Sequence, residues 1–393
     1  MKKHSGASRP GFQENRRRFL KFAGGAAVVA AASPLLSSLA AASPAEASAA
    51  VGADTHRPLG ATGIRVATVG FGAMTTRDPD VIRYAIDKGV DYLDTADCYM
   101  GGENERIVGR ALADGYRKKV VLATKVHIAP VDTMVASVEN SLRSLKVDMI
   151  DLMQLHGISS EAEVLNADAR EAMTKLIHQG KIRMAGVTTH SGQETVLRAV
   201  MKHGFYKTAL VSYNFRSDAA LTVAVREAGA AGVGVIGMKT QAGGYPVKAG
   251  EALSPHAAAL AWVLANPGVA TTIPSMVSFA QVDENLSARG KRFGWLDRRR
   301  LAAYEAEIGD RHCTLCGSCD GTCPAGVDVS SVLRSLTYAE GYREEELARA
   351  TYGALQSAGR SASACGSCGR CAVRCRVALD VKALAGRAHA TLG

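Results

Sequence analysis

Asp94, Tyr99, Lys125 and His156 each stand at the end of a short apolar run or just beyond one. Their types suit acid catalysis on a carbonyl. A tyrosine phenol is a poor acid near neutrality, and a neighbouring lysine ammonium lowers its pKa. An aspartate paired to that lysine holds it charged and in place. A histidine can hydrogen-bond a substrate oxygen and orient it. Such a set can protonate a carbonyl oxygen while a hydride reaches its carbon.

A second constellation lies near the C-terminus. Cys313, Cys316, Cys319 and Cys323 have the spacing C-x2-C-x2-C-x3-C, and Pro324 follows. Cys365, Cys368, Cys371 and Cys375 repeat that spacing, with Arg376 in place of the proline. Three closely spaced thiolates on one tight loop can cap three irons of a cubane cluster. Paired C-x2-C units also build four-thiolate zinc sites, and disulfides are the common fate of exported cysteines. The doubled four-cysteine run favours two [4Fe–4S] clusters, with zinc as the alternative metal. The remaining cysteine, Cys98, reads as a buried thiol.

The elements that must position these residues show in the apolar patterning. Strand candidates are Ile64–Phe71, Asp91–Ala96, Val120–Val126, Met149–His156, Arg183–Thr189, Ala209–Asn214, Gly232–Lys239 and Thr271–Pro274. Helical patterns such as Asp80–Lys88 and Val131–Leu145 lie between them; Val135, Val138, Leu142 and Leu145 share one helical face. The alternation predicts an α/β chain with a (β/α)8 TIM barrel, an open doubly wound sheet being the runner-up. Chemistry in such a barrel sits at the C-terminal ends of strands, where the four polar residues fall. The glycines of Gly232–Gly237 match G-x-G-x-x-G, but they lie inside a strand candidate. They therefore read as close packing, not as a dinucleotide fingerprint. After Leu286 the alternation stops. A charged connector, Arg289 to Arg300, leads to the cysteine-rich tail, with a boundary near Glu305. Between the cysteine runs the tail reads as helical, around Val332, Leu333 and Leu336 and again from Glu344 to Leu355.

The N-terminus has a separate character. Residues 1–49 hold seven Lys/Arg and two Asp/Glu, a net +5 of the formal +10. The body has no basic run with interleaved aromatics, which disfavours nucleic acid as a partner. Asn15 to Lys21 reads NRRRFLK and resembles a twin-arginine export signal, with Arg16 and Arg17 as the pair. A soft Ala/Gly-rich stretch follows, broken by Pro34, and small residues offer cleavage near Ala47-Ser48-Ala49. That address implies the twin-arginine machinery as a partner, folding before export, and a periplasmic or membrane-associated destination. Folding around metal in the cytoplasm would also keep the tail thiols out of disulfides.

DTADCYMGGENERIVGRAL, from Asp94 to Leu112, resembles the DTAxxYGxxExxxGxAL signature of the aldo/keto reductases. The Glu105-to-Gly109 portion sits two residues further from Tyr99 than in that pattern. ATKVH, LMQLHG and PLGATGIRVATVGFGAM resemble the family at three further places, and the likeness covers roughly residues 57–290. It implies a TIM barrel, an extended NADP or NAD cofactor and an aldehyde or ketone substrate. Tyr99 is then the proton donor, Lys125 and Asp94 the pair that tunes it, and His156 the residue that orients the carbonyl. Thr188 and Thr189 stand where the family holds the nicotinamide amide with Ser-Asn, and Met238 where many members stack a tyrosine. Lys239, Gly243 and Gly244 would lie near the pyrophosphate, and Glu284 and Asn285 match an adenine-contacting pair. Ser275 and Gln281 replace the cations that favour a 2′-phosphate, so the choice between NADP and NAD stays open.

The tail resembles helical ferredoxin-type domains with two [4Fe–4S] clusters, whose fourth cysteine reaches the other cluster. That implies one set of Cys313, Cys316, Cys319 and Cys375, and a second of Cys323, Cys365, Cys368 and Cys371. The resulting expectation has three domains: a signal (1–49), a barrel (50–304) and a ferredoxin-like iron–sulfur domain (305–393). Clusters pass single electrons whereas a hydride carries two, and no flavin fingerprint is present to mediate. The clusters are thus either structural or a docking point for a redox partner protein. A degenerate, non-catalytic barrel in an electron-transfer protein is the competing expectation.

Overall fold

The computed structural model describes residues 55–244 and 255–393. The export-signal reading of residues 1–49 lies outside the described residues. Eight parallel strands run in chain order: β3 (Phe71–Gly72), β4 (Tyr92–Asp94), β5 (Val121–Val126), β6 (Ile150–Leu155), β7 (Ile182–Thr189), β8 (Thr208–Ser212), β9 (Gly234–Met238) and β10 (Val269–Thr272). Bridges from Val69 to Thr272 and from Gly72 to Ser275 join the last strand to the first. The sheet is therefore closed, as a (β/α)8 barrel requires, and the open doubly wound alternative does not form.

The run Ile64–Phe71 is not one strand. Arg65–Ala67 forms β2 and pairs antiparallel with β1 (His56–Pro58), while only Phe71–Gly72 enters the barrel. Leu59 and Val66 of this hairpin join the interior cluster with Tyr92, Ala123, Leu152, Leu210 and Ile236. The hairpin plugs the N-terminal mouth, where the Ala61 amide donates to the Gly232 carbonyl at 2.8 Å. Gly234 permits this: a Cβ there would meet Leu59 Cδ1 at 2.9 Å.

Strand periodicity then builds the site. Alternate residues of a strand face the same side. Tyr92, Ala123 and Leu152 form an apolar layer inside the barrel. Two residues further along the same strands come Asp94, Lys125 and Gln154, all fully or almost fully buried. Register pairs Lys125 with Gln154. One apolar layer thus supports one polar layer at the C-terminal end of the barrel.

The charged connector is largely helical. Trp295–Ile308 is a helix whose Leu301 packs on Ala258 and Ala259, and whose Tyr304 and Ile308 pack on Ala242. Glu305 lies in its last turn, so the change of composition falls inside an element. The tail is mainly helical as expected, with helices Val329–Glu340, Glu345–Ser357 and Val381–Leu392. Their core holds Val332, Leu333, Leu336, Tyr352, Leu384 and Ala388. The tail is tied to the barrel through backbone carbonyls. Arg216 donates to Gly309 and His312, and Gln193 donates to Leu315.

Candidate active site

Lys125 Nζ donates to Asp94 Oδ1 and to the Thr95 carbonyl, and Gln154 Nε2 donates to Asp94 Oδ2 at 2.8 Å. Burial pushes the Asp94 carboxyl up, and Lys125 and Gln154 oppose that rise. Tyr99 opens a 3-10 turn, Tyr99–Gly102, in which Met100 and Gly101 are left-handed. This turn absorbs the two extra residues of the motif, so that Asn104 and Glu105 still reach the barrel wall. Thr95 Oγ1 donates to Asn104 Oδ1 at 2.6 Å, and Thr124 Oγ1 donates to Glu105 Oε1 at 2.7 Å.

All four expected catalytic side chains meet. The Lys125 ammonium lies 4.7 Å from the centre of the Tyr99 ring, and the Tyr99 and His156 rings meet edge-on at 6.1 Å. The electrostatics differ from the expectation at one point. Desolvation and the Asp94 charge push the Tyr99 phenol well above its ordinary range, and the cation that chiefly opposes them is Lys239, not Lys125. Desolvation, then Lys125 and His127, hold His156 well below the ordinary imidazole range. His156 is therefore a neutral imidazole. Cys98 is exposed, contrary to its reading as a buried thiol, and its Sγ lies 3.6 Å from His156 Nδ1.

A cleft beside Tyr99 and Asp94 brings together Met238, Lys239, Gly243, Gly244, Ser275, Gln281, Glu284 and Asn285. Two expected residues are not among them. Thr188 Oγ1 accepts from the Gly157 amide at 2.7 Å, and Thr189 Oγ1 donates to the Ser191 carbonyl at 2.6 Å. Both hydroxyls serve the backbone, and the next residue, His190, lines the cleft instead. Gln281 and Asn285 accept bonds from the Val277 amide and Gln241, respectively. Thr240 also lines the cleft, and its hydroxyl is buried with no partner.

The tail contributes residues that the sequence pattern did not single out. Lys239 Nζ donates to Tyr338 Oη at 3.2 Å and lies 4.6 Å and 5.1 Å from the Tyr338 and Tyr342 ring centres. Burial alone would raise the Tyr338 phenol, but Lys239 and Arg334 outweigh it and hold the phenol below its usual value. Burial alone would lower Lys239, but Tyr338, Tyr342 and Tyr99 outweigh it and keep the ammonium charged. Arg334 Nε is buried with no partner. In sequence Tyr338 reads as one more apolar-face residue of a tail helix; only its meeting with Lys239 marks it.

The cysteines carry no disulfide. Burial pushes Cys313 up to about 12, and the thiols that act on it are Cys316 and Cys375. Cys319, also about 12, has Cys313 and Cys316 beside it. Cys365 is raised by burial and then by Cys323, Cys368 and Cys371. Each run thus has a neighbour from the other: Cys375 acts on Cys313, and Cys323 acts on Cys365. A left-handed Leu315 and Gly317 wrap the first loop, and the Leu315 amide donates to Cys313 Sγ at 3.3 Å.

Barrel and rim together define the class: a closed (β/α)8 barrel similar to those of the aldo/keto reductases. Residues 69–251 match the model of the aldo/keto reductase family. The chain is 38% identical over 133 residues to the aldo-keto reductase YhdN of Bacillus subtilis, a match covering 31% of this chain and 40% of that protein. The chain spans under half the length of the curated relatives it matches. An aldo-keto reductase from Bacillus halodurans, solved in its holo form, superposes with a TM-score of 0.52 at 27% identity, over 63% of this chain and 95% of that one. The aldo/keto reductase from Klebsiella pneumoniae, solved with NADP and acetate, gives 0.52 at 26% identity, over 63% and 93%.

Proposed function

We propose that this protein reduces an aldehyde or ketone, or oxidises the corresponding alcohol, with NADP or NAD, and that its tail holds two [4Fe–4S] clusters. The observation that carries the reading is the convergence of Tyr99, Lys125, Asp94 and His156 above one apolar barrel layer, beside a cleft lined by Lys239 and Thr240. The partnerless Thr240 hydroxyl and the buried Lys239 cation fit a polar, anionic cofactor. When bound, the nicotinamide supplies or accepts the hydride. Tyr99 stays protonated at neutral pH and donates to the carbonyl oxygen. Lys125 is held by Asp94 and the Thr95 carbonyl, Gln154 holds Asp94 in turn, and the lysine charge faces the Tyr99 ring. His156 is neutral and can donate a hydrogen bond to the same oxygen. Lys239 supplies the positive field that favours the phenolate left behind. No cation stands at Ser275 or Gln281, which favours acceptance of NAD as well as NADP.

The cross-run neighbours Cys313 with Cys375 and Cys365 with Cys323 support crossed iron–sulfur ligation, Cys313, Cys316, Cys319 and Cys375 in one cluster and Cys323, Cys365, Cys368 and Cys371 in the other. Packed thiols of raised pKa stay protonated on their own, and iron would supply the positive centre that lets them ligate as thiolates. Export by the twin-arginine route, with a redox partner protein outside the cytoplasm, completes the reading. Cofactor and clusters would then be loaded before export.

Anaerobic purification of the full chain, followed by joint measurement of iron, sulfide and nicotinamide, tests the reading. Iron and sulfide at about eight each per chain are expected, together with saturable quenching of protein fluorescence by NADPH or NADH. Absence of all three would sink it. The commitment of Thr188 and Thr189 to the backbone favours one competing reading, a non-catalytic barrel in an electron-transfer protein. Failure to bind either nicotinamide with both clusters present would select that one.

A further inference from the structure

Asp97, Cys98, His127 and His156 each offer one ligand atom, and the four atoms lie within 4.8 Å of one another. Asp97 and Cys98 follow β4, His127 follows β5 and His156 follows β6, so three adjacent strand ends supply the group. The reduction chemistry uses His156 and leaves the other three without a role. Cys98 Sγ lies 3.6 Å from His156 Nδ1. A zinc–sulfur bond of about 2.3 Å and a zinc–nitrogen bond of about 2.05 Å at a tetrahedral angle place the two atoms about 3.6 Å apart. The His127 and His156 rings lie side by side, with centres 4.6 Å apart. Asp97 Oδ1 is buried with no hydrogen-bond partner. Cys98 and His127 are exposed, which gives an ion a path from solvent.

We propose that these four side chains form a site for a single zinc-class divalent cation at the rim of the barrel, separate from the cysteine tail. One thiolate, two imidazoles and one carboxylate are the mixed donor set that zinc accepts. Four protein ligands fill a tetrahedral shell and leave no open position for a substrate carbonyl. The ion therefore does not activate substrate. Bound through Nδ1, the His156 ring is fixed in the orientation that the ion dictates rather than the one the substrate needs, which silences the reductase reversibly. The inhibition rests on the reductase reading; the binding does not.

The test uses the full, cluster-loaded chain, dialysed anaerobically against Zn2+ and washed. Zinc content and zinc-edge X-ray absorption are read together with reduction of 4-nitrobenzaldehyde. A single tightly held zinc is expected, bound by one sulfur and three nitrogen or oxygen atoms. Cys98→Ser and His127→Ala should each weaken zinc affinity about 10-fold or more and should relieve zinc inhibition. Zinc with an all-sulfur shell would assign the metal to the tail and overturn the proposal. So would the absence of retained zinc, or unchanged affinity in both variants. Zinc bound in the mixed shell of a chain that reduces no carbonyl would uphold the site and remove the reductase reading instead.

Discussion

Two lysines share work that the sequence assigned to one. Lys125 is spent on Asp94 and faces the Tyr99 ring, while Lys239 opposes the rise of the Tyr99 phenol. Lys239→Met should therefore push both the Tyr99 and Tyr338 phenols higher. In an ultraviolet titration the tyrosinate signal should move to higher pH; an unmoved curve would contradict this electrostatic account. The histidines give a second prediction. Desolvation, reinforced by cations (Lys125 at His156, Arg334 at His190), holds both imidazoles well below their ordinary range. Below about pH 6.5 the unfolded chain binds protons at these positions and the folded chain does not. The stability they contribute is thus complete above that pH and is lost as pH falls. The melting temperature should drop between about pH 7.5 and pH 5.5, and His190→Gln should shrink the drop. The catalytic set was legible because Asp94, Lys125 and His156 end apolar runs and Tyr99 lies just beyond one. The roles of Thr188 and Thr189 were not, because sequence does not show which hydroxyls the backbone will claim.

Strand ends place Asp94, Lys125 and His156, and seven of the strand candidates overlap observed strands to within a few residues. Ile64–Phe71 misled because an apolar run carries no label for its partner: its first half pairs with β1 and its end with β4. The glycines of Gly232–Gly237 serve close packing and not a dinucleotide fingerprint, for Gly234 and Gly237 sit in β9 against Leu59, Val263 and Thr240. Gly234→Ala should overpack the plug and cost about 1–3 kcal/mol, read as a lowered melting temperature. Leu59→Ala in the same chain should recover part of that loss. A neutral or stabilising Gly234→Ala would mean that the hairpin does not seat as described.

Across the whole molecule, the cysteine tail is part of the active-site wall. Helix Val329–Glu340 sends Arg334 and Tyr338 toward the rim, and Tyr342 lines the cleft. Sequence reading separated the two regions because their meeting joins residues about a hundred positions apart. If the tail holds the proposed clusters, iron removal should therefore loosen the cleft as well as the tail. Chelation under reducing conditions should increase proteolysis within residues 313–393 and weaken NADPH binding together. Proteolysis without any change in nucleotide binding would make the tail independent of the barrel. Under the proposed iron–sulfur reading, clusters that hold this wall in place need not pass electrons to the barrel.

Proton donation by the Tyr99 phenol is the step on which the proposed carbonyl reduction depends. Its most direct test is anaerobic turnover of NADPH or NADH with 4-nitrobenzaldehyde by the cluster-loaded chain and by Tyr99→Phe. The account predicts that kcat falls about 10²- to 10⁴-fold in the variant, with nucleotide affinity and iron content unchanged. Equal turnover by both proteins would contradict it.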